Sequence, residues 1–152
     1  MKTSIKQVVF VFFVIALMVS ACQPKAEGPQ ISVEGAWGRN SPKVATAGAF
    51  YMVIKNSGTE ADKLTSATSP ACGMMELHES FMQDDGTMGM RPVEGGSIEV
   101  PAGGSVELKV GGLHVMCMEK MADFNVGDKY TVTLTFEKSG AMDVEVEIKE
   151  TE

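Results

Sequence analysis

Helical periodicity is missing from this sequence. Beyond the apolar start, no window repeats apolar residues at the three-and-four spacing of an amphipathic helix, and only Met118 to Phe124 would fit a single turn. Histidine is scarce: 152 residues contain two, His78 and His114. No nucleophile motif accompanies them, so neither a catalytic triad nor a hydrolytic zinc site assembles, and the chain reads as a non-enzyme. Basic residues are outnumbered, 13 against 20 acidic, for a net charge of −7. No basic patch is available for nucleic acid or anionic lipid. The scattered acidic residues suit a solvated domain that attracts cations or docks to a basic partner.

What the chain does have begins with a targeting segment. Lys2 and Lys6 precede an apolar run from Val8 to Val19, too short for a spanning helix of about 20 residues. Val19-Ser20-Ala21-Cys22 reads as a lipobox, small residues before a cysteine that becomes the lipidated N-terminus. An uncleaved anchor, or a plain signal peptide with a chance cysteine, is the alternative. The expected layout is therefore a leader over 1–21, a Pro- and Gly-rich tether over 22–30, one domain over 31–149 and a short tail over 150–152. Without Lys2 and Lys6 the mature chain carries 11 basic residues against 20 acidic, a net charge of −9. It would sit in a bacterial cell envelope, in the periplasm or on the outer face of the plasma membrane, tethered by acyl chains. That compartment permits disulfides, and Cys72 and Cys117 remain besides Cys22.

The domain alternates polar and apolar residues in short runs separated by Gly and Pro. Strands are expected at Ile31–Trp37, Ala47–Asn56, Asp62–Thr68, Met74–Ser80, Thr87–Pro92, Ser97–Val100, Ser105–Val110, His114–Met118, Lys129–Glu137 and Asp143–Lys149. Gln83-Asp84-Asp85-Gly86 is a hairpin signal. Such spacing predicts an all-β antiparallel sandwich or Greek-key barrel of about nine strands.

Methionine is the other surplus. Ten remain once Met1 and Met18 leave with the leader, and only Met52 and Met142 lie away from residues 74–121. Methionine commonly fills core gaps, yet these surround both histidines. His114 and Met116 are two apart on a strand and share a face, with Met118 joining them if the strand continues. Met88 and Met90 share a face across the hairpin from His78. Two imidazoles and two thioethers form a soft donor set for Cu(I) and a poor one for Zn(II), Mg or Ca.

The ordered motifs G-A-W (35–37), G-A-F-Y-M (48–52), N-S-G (56–58), E-L-H-E (76–79), M-G-M-R-P-V-E-G (88–95), P-A-G-G (101–104), V-E-L-K (106–109) and G-G-L-H-V-M (111–116) resemble the PCuAC family of bacterial periplasmic copper chaperones. The resemblance spans about Ile31 to Ile148. It implies a cupredoxin-like fold and a Cu(I) site made by His78, Met90, His114 and Met116. Met90 directly precedes Arg91-Pro92; Met88, of the same parity, is the alternative, and Met88 and Met118 are candidates for an additional metal shell. It further implies delivery of Cu(I) to the copper-site subunit of cytochrome c oxidase, in assembly of the Cu-A centre, alongside a Sco-type thiol protein.

Cys117 lies between Met116 and Met118, so alternation turns it away from the histidine face. Cys72 precedes the His78 strand, which makes a Cys72–Cys117 disulfide feasible. Free buried thiols, or a Cys117 thiolate on copper, are the other readings. Two further functions stay open: an electron-transfer cupredoxin and a copper-free binding or structural lipoprotein.

Overall fold

The computed structural model describes residues 27–42 and 44–150. The leader and Cys22, with its expected lipid, lie outside the described residues. The ten strands are β1 (Ile31–Arg39), β2 (Gly48–Asn56), β3 (Asp62–Thr68), β4 (Cys72–Met82), β5 (Met88–Pro92), β6 (Ile98–Val100), β7 (Ser105–Leu108), β8 (Leu113–Lys120), β9 (Lys129–Phe136) and β10 (Gly140–Lys149). A 3₁₀ turn occupies Glu94–Gly96. The segment 118–124 forms no helical turn; β8 runs on to Lys120 instead.

The strands form one sheet in the order β5-β4-β8-β2-β1-β10-β9-β3-β6, with β7 also paired to β2. Nearly every pairing is antiparallel, but β1 and β10 run parallel, with Trp37 opposite Glu147. The first and last strands among the described residues thus meet in mid-sheet, and the intervening strands supply the long crossover that a parallel pair requires. One buried cluster draws Leu64 from β3 and Val100 from β6 together with Leu77 from β4 and Val115 from β8. The two ends of the ribbon therefore close over a shared core. This is the expected all-β, cupredoxin-like architecture.

Local irregularities decide which face each residue joins. In β1 the register to β2 shifts between Glu34 and Trp37, where Gly35 has φ 59°. An extra residue in one strand reverses the alternation beyond it. Ile31 and Val33 pack on the core before the bulge and Ala36 after it, while Trp37 turns to the other face against Tyr51, ring centroids 4.6 Å apart. A second irregularity falls at Glu119, whose φ is 52°, close to Gly73 on the neighbouring strand, with the β4–β8 register unchanged across it. There Cys72 and Met75 both turn to the core although they are three residues apart. Gly48, in the G-A-F-Y-M motif, leaves room for an aromatic ring: a Cβ at this position would lie 2.5 Å from Phe124.

Two buried polar groups hold the far end of the sheet. Asn56 Oδ1 accepts from the N–H groups of Gln30 and Gly58, and its Nδ2 donates to the Glu60 and Val100 carbonyls. The end of the expected tether is therefore pinned to the β2–β3 turn, where the Thr59 N–H also donates to the Gly28 carbonyl. Asp62 is 1 % exposed and accepts from the Ser139 hydroxyl and from the backbone N–H groups of Lys63, Lys138 and Ser139. Burial alone would raise its pKa, but those hydrogen bonds outweigh it and hold the carboxyl below the usual range.

Candidate metal centre

The candidate site lies on the face of β5-β4-β8 that points away from the core. His78 and His114 are direct cross-strand partners, with Glu76 opposite Met116 one step along. On the other side of β4, Pro92 pairs with His78 and Met90 with Ser80. Met116 is in turn opposite Ala49 of β2. Antiparallel pairing places directly opposed side chains about 5 Å apart on one face, so the sheet register alone brings the two imidazoles together. Their ring centroids are 5.9 Å apart, set edge to face at 67°. The Tyr51 ring lies 6.2 Å from that of His114 and roofs it from β2.

Both rings are buried, His114 at 2 % exposure and His78 at 8 %. Each has one nitrogen committed to an acceptor. His114 Nδ1 donates to the Gly112 carbonyl at 3.0 Å, and His78 Nε2 donates to Glu76 Oε2 at 2.7 Å. A carbonyl oxygen only accepts, so the Gly112 bond places the hydrogen on His114 Nδ1, and a carboxylate oxygen accepting at His78 places it on Nε2. The opposite nitrogens, His78 Nδ1 and His114 Nε2, are buried with no hydrogen-bond partner in the protein. Burial pushes the His114 pKa down, the Gly112 bond opposes that, and the charge of His78 adds to it, so His114 favours the neutral form. An unpartnered buried lone pair is costly in a folded protein. A neutral imidazole with one nitrogen tied to a carbonyl or carboxylate and the other left open is the arrangement of a metal ligand with its orienting partner.

The thioethers surround this pair. Met116, half-buried, follows His114 on the same face, and Met90 is exposed on the edge strand. Both line a cleft of about 180 Å³ with Arg39, Ser41, Ala49 and Tyr51. Burial raises the Tyr51 phenol pKa despite the Arg39 charge, so the cleft wall stays neutral there. Met90 is one two-residue step from the level of His78, whereas Met88, opposite Met82, is two steps away. Met118 pairs with Met74 beyond Met116. Among the described residues, no three His, Cys, Asp or Glu side chains gather closely enough to hold a metal ion. The other soft side-chain donors on this face are the thioethers of Met90 and Met116.

Cys117 supplies none. It is bonded to Cys72, with S–S 2.09 Å and Cα–Cα 5.5 Å, and is fully buried on the core side. Free thiols and a copper thiolate, both open on the sequence alone, are not what the fold contains. Residue-level reading also passed over Glu76, the Gly112 carbonyl and Tyr51. For Glu76 a signal existed: in E-L-H the carboxylate is two residues before the histidine, hence on the same face of a strand.

The family model described as "Putative lipoprotein LpqE-like" matches residues 31–148. The chain belongs to the LpqE-like family, of PCuAC type. The "Putative lipoprotein Lxx21020" of Leifsonia xyli is 30% identical over 136 residues, 90% of this chain and 80% of that protein. The apo PCuAC domain from PmoF1 superposes with a TM-score of 0.68 at 22% identity, covering 85% of this LpqE-like chain and 100% of that domain. The Cu(I) form of DR1885 from Deinococcus radiodurans superposes with a TM-score of 0.60 at 24% identity, covering 88% and 83% respectively. Identity at that level speaks for a shared fold, and the fold is that of PCuAC domains.

Proposed function

We propose that this protein binds Cu(I) as cargo through His78, His114, Met116 and Met90 and releases it to an acceptor by ligand exchange. The observation that carries this reading is the pair of buried imidazole nitrogens without partners, beside thioethers on one sheet face. Neutral imidazole and thioether match a soft monovalent ion and leave its charge uncancelled, which favours exchange over storage. The donors differ in access. The histidines are fixed and buried, while Met90 is 61% exposed on an edge strand, so the Met90 thioether is the ligand an incoming acceptor displaces first. The Cu(I) form of DR1885 supports copper as the cargo.

The leader, Cys22 and the family's lipoprotein name support an exported, membrane-tethered protein. Tethering raises its effective concentration near membrane-bound acceptors. The acceptor we favour is the Cu-A site of cytochrome c oxidase, with a Sco-type thiol protein as co-worker. An electron-transfer role is disfavoured, because a blue-copper site needs a cysteine thiolate and Cys117 is locked in a disulfide behind the sheet.

Competition titration against a Cu(I) chelator tests the binding. One tightly bound equivalent is expected, with two nitrogen and two sulfur ligands by X-ray absorption, lost in His114→Ala/Met116→Ala. Unchanged affinity in that double variant would sink the site assignment. Cu(I) that leaves the denaturation midpoint unmoved would favour the copper-free reading. Mixing the loaded protein with an apo Cu-A domain tests delivery separately, through growth of the Cu-A absorption.

A further inference from the structure

The β4–β5 hairpin carries more thioethers than the histidine site uses. Met82 and Met88 are direct cross-strand partners, the last pair before the turn, and Met90 follows two residues on along the same face. All three are exposed, at 64, 53 and 61%. Exposed edge strands normally carry lysine or other charges that prevent unwanted pairing. Here β5 ends the sheet order; Arg91 and Pro92 protect its end beside His78, while the positions toward the turn, Met88 and Met90, hold methionine.

The opposite face of the hairpin is already occupied. Arg91 lies 4.6 Å above the Phe81 ring and its Nε donates to Glu79 at 2.8 Å. A Cβ on Gly89 would come 2.9 Å from the same ring, so Phe81 fills that side. The turn is closed by Gln83 N–H to the Thr87 carbonyl at 2.8 Å, and Asp85 Oδ1 accepts from Thr87 N and Oγ1 at 2.9 and 2.6 Å. A firmly closed hairpin thus holds a thioether pair on one side, with the carboxylates of Asp84 and Asp85 at its tip.

We infer that Met82 and Met88 form a second, outer site for a soft monovalent ion, Cu(I) or Ag(I). Met90 serves as a third donor when the histidine site is empty. Two facing thioethers suffice for a low-coordinate soft ion, and harder cations gain nothing from them. The carboxylates at the tip add attraction for any cation without ligating it. Met90 lies one strand step, roughly 7 Å, from the Met82–Met88 level and one step from the His78 level. The outer site is placed to capture the ion and pass it through Met90 to the histidines. That loading role rests on the histidine-site reading; the outer site itself does not.

Silver titration of the full-length protein labelled at the methionine methyl carbons tests both parts. In wild type the second equivalent of Ag(I) moves the methyl signals of Met82 and Met88. In His78→Ala/His114→Ala the first equivalent moves those of Met82, Met88 and Met90. Met82→Leu/Met88→Leu, a volume-conserving change at exposed positions, takes up one equivalent fewer and loads its histidine site severalfold more slowly from a Cu(I) chelate. A second equivalent that never binds, or that moves Met74 and Met118 instead, overturns the outer site. An unchanged loading rate overturns its loading role. Hairpin methyls that respond while the histidine variant loses no silver would remove the function proposed above and leave the outer site standing.

Discussion

The two faces of the β4–β8 pair are built from the same strands and treat sulfur in opposite ways. On the core face Cys72 and Cys117 are joined, next to Leu77 and Val115. On the other face His78, His114 and Met116 stand with Glu76. Thiols, the stronger soft donors, are consumed as a covalent brace on the core face. Thioethers, which form no disulfides, remain on the face of the proposed site. In an oxidising compartment this separation keeps the donors available, subject only to conversion to sulfoxide. Stability should therefore depend on one face and cargo affinity on the other.

The largest break in that division should come from the core face. The bridge closes a separation of 45 residues, worth about 4 kcal/mol by the chain-entropy argument. Cys72→Ala/Cys117→Ala should lose roughly that much in urea denaturation and still bind Cu(I) at low temperature. If copper affinity fell with stability, the two faces would not be independent. Glu76→Ala approaches from the other side. Loss of the carboxylate that orients His78 should weaken Cu(I) binding by about 10- to 100-fold, and the buried His78 N–H left without its acceptor should lower stability in urea by about 1 kcal/mol, well below the effect of the bridge. Glu76→Gln, which retains an acceptor, should recover part of the affinity.

The third prediction lies away from both faces. Asp62 has a folded pKa below its unfolded value, so its contribution to stability is complete above about pH 4 and disappears as pH falls through the folded pKa. Asp62→Asn should cost about 2 kcal/mol near neutrality and flatten the acid limb of the stability–pH curve. A limb as steep as that of wild type would shift the acid sensitivity to other groups. The smallest effect separates neighbouring methionines. Met75, packed on the core, should lose less than about 1.5 kcal/mol on change to Leu. Met74, 48% exposed on the site face, should lose nothing measurable by the same assay.

Much of this was legible before any coordinates. Strict alternation in K-Y-T-V-T-L-T-F gives β9 (Lys129–Phe136), with Val132, Leu134 and Phe136 buried on one side as period-two patterning demands. His114, Met116 and Cys117 could be sorted onto faces by parity alone. The parallel meeting of β1 and β10 could not be read, since it links residues at opposite ends of the domain and no local pattern encodes a partner. The same holds for Trp37, whose face depends on a bulge at Gly35, and for Cys72, turned inward beside the irregular backbone of Glu119. Glu76 was visible but mute: its role depends on which nitrogen of His78 it reaches.

The amino-acid order by itself determined an all-β chain, an apolar run ahead of Cys22, and a soft donor set of imidazole and thioether, because periodicity and ligand chemistry are local properties. Tertiary structure alone decided that His78 faces His114, that Met90 is nearer to them than Met88, and that the two domain cysteines bond to each other. Those outcomes depend on cross-strand register, which is set by the core that the other nine strands share and, for β5, by its hairpin pairing with β4.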